Sequence, residues 1–178
     1  MSATEAVRRN IELKATDPDP ERSLGVCRAL DADDHGVISQ RDTYFNVQRG
    51  GLKLREESPG RPHLIQFERA DRPEQRPSSY SIVMVDDGEA LRLALGAALG
   101  VRGVVSKRRR LFLWKTVRIH LDEVDALGSY IELEAVAAAE SDLQVEYQLV
   151  AQLRDAFGIT DERLCPRGYA DLSRCQAG

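Results

Sequence analysis

The sequence has few of the residues that mark several common protein classes. Only three of its 178 residues are cysteines, Cys27, Cys165 and Cys175, and this odd number at wide spacing argues against a disulfide framework or a zinc motif. No stretch approaches the ~18 apolar residues of a membrane-spanning helix, and the first residues lack the apolar stretch of a signal peptide. We therefore expect a cytoplasmic protein with reduced thiols and no membrane partner.

An excess of positive charge is also missing. The chain has 25 lysines and arginines against 29 aspartates and glutamates, which gives a net charge of −4. We therefore expect no nucleic-acid partner, and any anion site has to come from local clustering of basic side chains. Hydrophobic residues make up 42% of the chain, as in an ordinary globular protein, and the length fits a single domain over residues 1–178.

Alternation of polar and apolar residues dominates the chain, and this period of two predicts strands. The predicted strands cover residues 10–15, 37–41, 42–47, 52–55, 64–69, 81–85, 103–114, 116–122 and 129–135. Residues 31–36 are predicted to form a polar turn, and the proline-containing segment 71–79 is predicted to be a loop.

Helical spacing of apolar residues occurs in three segments. It predicts helices over residues 20–30 and 91–99, and a long helix that begins at Ser141 and ends before Gly158. Gln144, three residues after Ser141, is predicted to complete a capping box. Many strands with about three helices at their edges indicate an α+β domain built on a barrel or a strongly curved sheet.

The polar faces of the predicted strands carry charged residues, and the basic pairs and the acidic pair lie on different strands. Each set lies on one face of its strand because side chains alternate with a period of two. The sets are Glu12 with Lys14, Lys53 with Arg55, Lys107 with Arg109, Arg118 with His120 and Asp122, and Glu132 with Glu134. On any single strand such a face is ordinarily solvated. If the sheet closes with these faces inward, they form a polar tunnel with a carboxylate wall and basic walls.

A tunnel of this kind suits a triphosphate with a bound metal ion. Hard divalent cations prefer carboxylate oxygens, and Mg²⁺ usually shares its ligands with substrate phosphates. Arginine and lysine neutralise phosphate oxygens. The chain has no Walker-type glycine loop, so side chains have to recognise the phosphates.

The segment Ile11-Glu12-Leu13-Lys14 resembles the Glu-x-Glu-x-Lys signature of CYTH proteins, also called triphosphate tunnel metalloenzymes. Further similar segments follow in order at residues 40–45, 51–56, 64–69, 105–109, 117–124, 127–134 and 168–172. Residues 42–45 and 118–122 are similar to the class IV adenylate cyclase branch. The resemblance implies an eight-stranded antiparallel β-barrel that forms the tunnel, with flanking helices. It also implies an enzyme that cleaves or rearranges triphosphates with Mg²⁺ or Mn²⁺.

Taken with the strand faces, the resemblance assigns a role to each charged residue. Metal binding falls to Glu12, Glu132 and Glu134, with Asp122 as a further ligand or as a partner that orients a basic residue. Phosphate binding falls to Lys14, Lys53, Arg55, Arg69, Lys107, Arg109 and Arg118, with Lys14 and Arg118 as catalytic residues. Arg69 lies on the opposite face from Gln66 and Glu68, so a bulge is expected to turn it inward.

Asn10 departs from the family signature, which has a carboxylate at this position. An amide offers a neutral oxygen, but it cannot accept a proton as a general base near neutral pH. This disfavours hydrolysis more than cyclisation, in which a ribose hydroxyl replaces the activated water. Our leading hypothesis is an enzyme of the class IV adenylate cyclase type that converts ATP to cyclic AMP and pyrophosphate.

Two other functions stay open. One is hydrolysis of inorganic triphosphate or of an organic one such as thiamine triphosphate, and the other is non-catalytic binding of nucleotide or polyphosphate. We expect a monomer or a homodimer. His120 is expected to be a structural hydrogen-bonding residue, and Tyr169 is expected at the tunnel mouth.

Overall fold

The computed structural model describes residues 7–69 and 74–176, with side chains up to Leu172. It contains eight strands: β1 (Arg8–Thr16), β2 (Asp33–Phe45), β3 (Gly51–Ser58), β4 (His63–Arg69), β5 (Arg76–Met84), β6 (Val101–Trp114), β7 (Val117–Val124) and β8 (Gly128–Val136). They close into an antiparallel barrel in the order β1-β5-β4-β3-β2-β6-β7-β8. The eight-stranded barrel expected from the resemblance is therefore confirmed. That residues 1–178 form a single domain stays a prediction.

Helices flank the barrel on its outside. They are α1 (Pro20–Ala29), α2 (Gly88–Leu99), α3 (Gln144–Ala156) and α4 (Tyr169–Gln176), with a 3-10 turn at Asp161–Arg163. Asp19 caps α1, and Asp87 caps α2, because each carboxylate accepts a hydrogen bond from a backbone N–H in the first turn. No helix in the described ranges is long and apolar enough to cross a membrane.

The hydrophobic core lies outside the barrel, between its wall and helices α1 and α3. Its fully buried members include Ile11 and Leu13 of β1, Ile131 and Leu133 of β8, and Val150 and Leu153 of α3. Alternate residues of the same strands, such as Glu12 and Glu132, face the barrel interior. The period of two therefore sends apolar side chains outward to the helices and charged side chains inward.

Strand β2 corrects the prediction of a turn followed by two strands. It runs without a break from Asp33 to Phe45 and pairs with β6 along most of its length. The register shifts between Asp34 and Val37, where Gly36 has a φ of +84°. The polar turn-like sequence is therefore a bulge inside a long strand, and glycine is the residue that adopts this conformation at least cost.

Strand β5 corrects the prediction that residues 71–79 form a loop. Residues 70–73 lie outside the described ranges, but the strand already begins at Arg76 and includes Pro77. Pro77 stands opposite Ile11 in the pairing with β1. Proline in a strand usually indicates an edge, and this rule misled the prediction because a closed barrel has no edge.

Helix α3 begins three residues later than predicted. Its N-cap is Leu143, and the Ser141 hydroxyl donates to the Glu146 carboxylate at 2.7 Å while accepting from the Leu143 backbone N–H at 3.0 Å. Ser141 therefore organises the approach to the helix, and Glu146 is its partner in place of Gln144. Helix α4 was not predicted from apolar spacing.

We predict that Leu153→Ala in α3 lowers the free energy of unfolding by about 2–5 kcal/mol. The Leu153 side chain is fully buried between α3 and the barrel wall, so truncation leaves a cavity. Val145→Ala on the same helix is the matched control, because Val145 is 60% exposed and should change little. Urea denaturation of both variants measures the difference, and equal effects would contradict the placement of the core.

Candidate active site

A cavity of about 350 Å³ fills the interior of the barrel. This size is typical of small-molecule sites. Every predicted site residue except Asp122 lines it. The residues that the sequence placed on separate polar strand faces are thus brought together in one enclosed space.

Two buried aspartates each hold a lysine and an arginine from a neighbouring strand. The Asp42 carboxylate of β2 accepts hydrogen bonds from Lys53 at 2.9 Å and from Arg55 at 2.7 and 2.6 Å. Burial opposes ionisation of Asp42, but Arg55 and Lys53 outweigh it and hold the pKa of this carboxyl well below its usual range. The two cations are therefore fixed in place before any ligand binds.

Asp122 of β7 repeats this arrangement with Lys107 and Arg109 of β6. Its carboxylate accepts a hydrogen bond from Lys107 at 3.0 Å and one from the Tyr169 hydroxyl at 2.9 Å. Arg109 donates two hydrogen bonds of 2.6 Å, one to each oxygen. Burial again opposes ionisation, and Arg109 with Lys107 holds the pKa of Asp122 low. Of the two roles open to Asp122, metal ligand or orienting partner, we propose the second, since Asp122 does not line the cavity whereas Glu12, Glu132 and Glu134 do.

Asp42 is a site residue that the sequence analysis missed. The signal lies in the pairing of the strands, where Asp42 stands directly opposite Arg55 just as Asp122 stands opposite Arg109. In both cases an aspartate on one strand faces a Lys-x-Arg segment on the next strand.

Glu12 lies between two arginines. Its Oε1 atom accepts from Arg69 at 3.1 Å and from Arg76 at 3.0 Å. Arg69 faces inward without a bulge, because Phe67 and Ile65 on the same face of β4 also line the cavity. The error came from taking Gln66 and Glu68 as the inward face; both are exposed. Arg76 was missed because it lies in the segment predicted to be a loop.

Glu132 and Glu134 of β8 lie side by side on the inward face, next to β7. Lys14 Nζ is 3.1 Å from Glu132 Oε1, and Arg109 Nη2 is 2.5 Å from Glu132 Oε2. Burial opposes ionisation of Glu132, but Lys14 and Arg109 hold its pKa well below the usual range. Ligand atoms of His120, Glu132 and Glu134 lie within 4.8 Å of one another, which suits a divalent cation.

The segment 166–169 covers one end of the cavity, called here the closed end. Arg76 donates to the Pro166 carbonyl oxygen at 3.0 Å, and the Tyr169 ring centroid lies 3.8 Å from Lys14 Nζ and 4.8 Å from Lys107 Nζ. Tyr169 itself is buried. Helix α4, which begins at Tyr169, therefore places an aromatic ring against two of the phosphate-binding candidates.

The opposite end, called here the open end, has a mixed lining in which apolar side chains lie among polar ones such as Glu57 and His63. The apolar side chains are Ile38, Ile65, Ile82 and Leu111. Along β6 the inward face passes from Lys107 and Arg109 to Leu111, and three of the four apolar side chains stay partly exposed. The cavity is thus strongly cationic beside segment 166–169, and its lining becomes mixed, with apolar side chains among polar ones, towards the open end.

The family model of the CYTH domain matches residues 8–169. This chain belongs to the CYTH family. The match spans all eight strands and ends at Tyr169, so it includes every charged residue described above. No curated protein sequence matches the chain.

Solved structures share the CYTH barrel at low sequence identity. PH1012 from Pyrococcus horikoshii OT3 aligns with a TM-score of 0.81 and 23% identity, over 92% of this chain and 98% of its own. A "putative adenylate cyclase" from Vibrio parahaemolyticus aligns with a TM-score of 0.74 and 19% identity, over 93% and 97%. HpAC1 from Hippeastrum, a "putative adenylyl cyclase" with a dominant triphosphatase activity, aligns with a TM-score of 0.61 and 15% identity, over 96% of both chains. At these identities the likeness establishes the fold alone.

Two lysines of this CYTH barrel have strongly lowered pKa values. Burial, reinforced by Arg109, lowers the pKa of Lys107 to about 7. Burial and the neighbouring Arg55 lower the pKa of Lys53 to about 8. Near neutral pH each lysine is therefore part charged and part neutral, and a polyanion in the cavity favours the charged form.

We predict that binding of inorganic triphosphate takes up protons and weakens as the pH rises through 7 and 8, because both lysines lose their charge in that range. Calorimetry in two buffers of different ionisation enthalpy measures the uptake. In Lys53→Arg and in Lys107→Arg the arginine stays charged at all these pH values. Each substitution should therefore abolish the part of the proton uptake that comes from the lysine it replaces. A binding enthalpy that is independent of the buffer would contradict the prediction.

Proposed function

We propose that this chain is a metal-dependent enzyme that converts a nucleoside triphosphate, ATP in the first instance, to the cyclic nucleotide and pyrophosphate. The observation that carries the proposal is the change in the cavity lining from one end to the other. Lysines and arginines at the closed end suit a phosphate chain, and the apolar side chains at the open end suit an organic group. Inorganic triphosphate would make no use of the open end.

The basic residues act here by binding and orienting the phosphates. Lys53, Arg55, Lys107 and Arg109 are held by buried aspartates, so they need little reorganisation when a phosphate arrives. They lie towards the closed end with Lys14, where the β- and γ-phosphates would sit. Their charge therefore stabilises the pyrophosphate as it departs.

His120, Glu132 and Glu134 fit a divalent cation, because their donor atoms converge within 4.8 Å on the cavity wall. Mg²⁺ or Mn²⁺ held there would supply positive charge to phosphate oxygens. Glu12 lies opposite Glu134 in the pairing of β1 with β8 and adds a further carboxylate to the same wall.

In the proposed reaction the ribose 3′ oxygen forms a bond to the α-phosphorus. The bond from that phosphorus to the bridging oxygen of pyrophosphate breaks, and the hydroxyl proton passes to water. Arg118 stands opposite Glu134 and is partly exposed, and among the described residues it makes no ion pair. We assign it the non-bridging oxygens of the α-phosphate, with Lys14 on the departing group.

Asn10 favours cyclisation over hydrolysis within this proposal. It lines the cavity, and an amide there cannot take a proton from an attacking water. The proposal includes a cytoplasmic location, which the two described cysteines support because both are free thiols.

The test is incubation of the purified chain with ATP, GTP, thiamine triphosphate and inorganic triphosphate, each with Mg²⁺ and with Mn²⁺, followed by phosphorus NMR. We expect a cyclic nucleotide with pyrophosphate. Orthophosphate as the main product would make the chain a triphosphatase, and tight binding without any product would make it a binding module. Either outcome would overturn the proposal.

We predict that Arg118→Ala lowers kcat/KM for the nucleotide at least tenfold, a loss of about 1.4 kcal/mol of transition-state stabilisation. Arg108→Ala is the matched control, because Arg108 lies on the outer face of β6, where it is largely exposed beside Glu123. It should leave kcat/KM unchanged. Equal kcat/KM values for the two variants and the wild type would contradict the role assigned to Arg118.

A further inference from the structure

We propose that His120 is itself a metal ligand. Its Nδ1 atom, together with Glu132 and Glu134, forms a mixed nitrogen–oxygen site that binds Mn²⁺ and Zn²⁺ in preference to Mg²⁺. The inference depends on the proposed function in one respect only, namely that this metal is the one that the reaction uses.

The three ligand residues are brought together by the pairing of β7 with β8. His120 stands directly opposite Glu132, and Glu134 follows two residues later on the same inward face. Nδ1 lies 3.6 Å from Glu132 Oε2 and 3.9 Å from Glu134 Oε1. Donor atoms that share a metal at roughly 2.1 Å lie about 3 to 3.5 Å apart, so small side-chain rotations would close the site.

His120 Nδ1 makes no hydrogen bond of 3.5 Å or less among the described residues, and Glu132 Oε2 lies just beyond that distance, at 3.6 Å. The atom is buried, and only 5% of the His120 side chain is exposed. A buried ring nitrogen without a partner is uncommon, since the large majority of buried polar atoms are satisfied by protein or ordered water. A metal ion on the cavity side of Nδ1 would supply the missing partner.

Glu134 is a second group of the site without a close ion-pair partner. Within the described chain, no lysine or arginine nitrogen lies within 4.0 Å of its carboxylate, whereas Glu12 and Glu132 both have such partners. A carboxylate without a close ion-pair partner, beside an imidazole nitrogen without a hydrogen bond, attracts a cation. Lys14 and Arg109 meanwhile orient Glu132, as partners of a ligating carboxylate usually do.

The composition of the site determines which metal it prefers. Imidazole suits transition metals, whereas Mg²⁺ takes oxygen ligands almost exclusively. The buried Asn10 Oδ1, which also lacks a partner among the described residues and lines the same cavity, adds a neutral oxygen. Two carboxylates with neutral donors make a softer, less negative site than a wall of carboxylates alone.

The experiment uses the metal-free full chain with Mn²⁺ alone, and pulsed EPR detects nitrogen bound to manganese through its hyperfine coupling. The chain has three histidines, His35, His63 and His120. We expect the coupling in the wild type, in His35→Ala and in His63→Ala, and its loss in His120→Asn. His63 is a pertinent control, because it lines the same cavity.

Metal affinity gives the second readout. His120→Asn should weaken Mn²⁺ and Zn²⁺ binding at least tenfold and leave Mg²⁺ binding within about twofold, which corresponds to a loss of about 1.4 kcal/mol for the first two metals. If this variant fails to fold, the double variant His35→Ala/His63→Ala leaves one histidine, and its spectrum decides the question alone.

Manganese bound without nitrogen coupling, or an unchanged coupling in His120→Asn, would overturn this inference and leave the proposed function standing. Nitrogen coupling in a protein that turns over no nucleotide would support the inference and overturn the proposed function. No Mn²⁺ binding at all to the wild type would overturn the inference.

Discussion

Every buried cation of the two Lys-x-Arg segments depends on a buried aspartate. Asp42 and Asp122 each neutralise a lysine and an arginine that the barrel removes from water. Removing one member of a buried pair typically costs about 3–5 kcal/mol, because the other charge is left uncompensated. These pairs allow the inward face to carry charge at all, and they also keep the basic side chains in position for an anion.

This constraint explains why the hydrophobic core lies outside the barrel. A barrel of this size ordinarily fills its interior with apolar side chains, whereas here the interior is a charged cavity and the core lies against α1 and α3. Leu133 of β8 packs in that core together with Val150 and Leu153 of α3. These side chains do not reach the cavity, but they stabilise the wall from which Glu132 and Glu134 project.

Much of this arrangement could be predicted from the sequence, because a period of two is a local signal. Charged residues on five strands face the cavity as their strand patterns indicated; they include Glu12, Lys53, Lys107, Arg118 and Glu132. The errors arose where long-range closure decides the outcome. Arg76 lies beside Pro77, and a closed barrel accepts this proline in a strand. In β4 the face with Phe67 points inward, whereas the more polar face with Gln66 and Glu68 points outward. Asp42 owes its role to a neighbouring strand, which no single segment reveals.

The covering of one end of the cavity has a consequence for the order of events in the proposed reaction. Among the described residues, the segment 166–169 lies across the closed end, so in the proposed reaction substrate and products would pass through the open end. The phosphate chain has to enter first, ahead of the organic group, and the product that carries the organic group has to leave first. Pyrophosphate is then the last to depart, so it competes with the next substrate molecule for the same empty barrel.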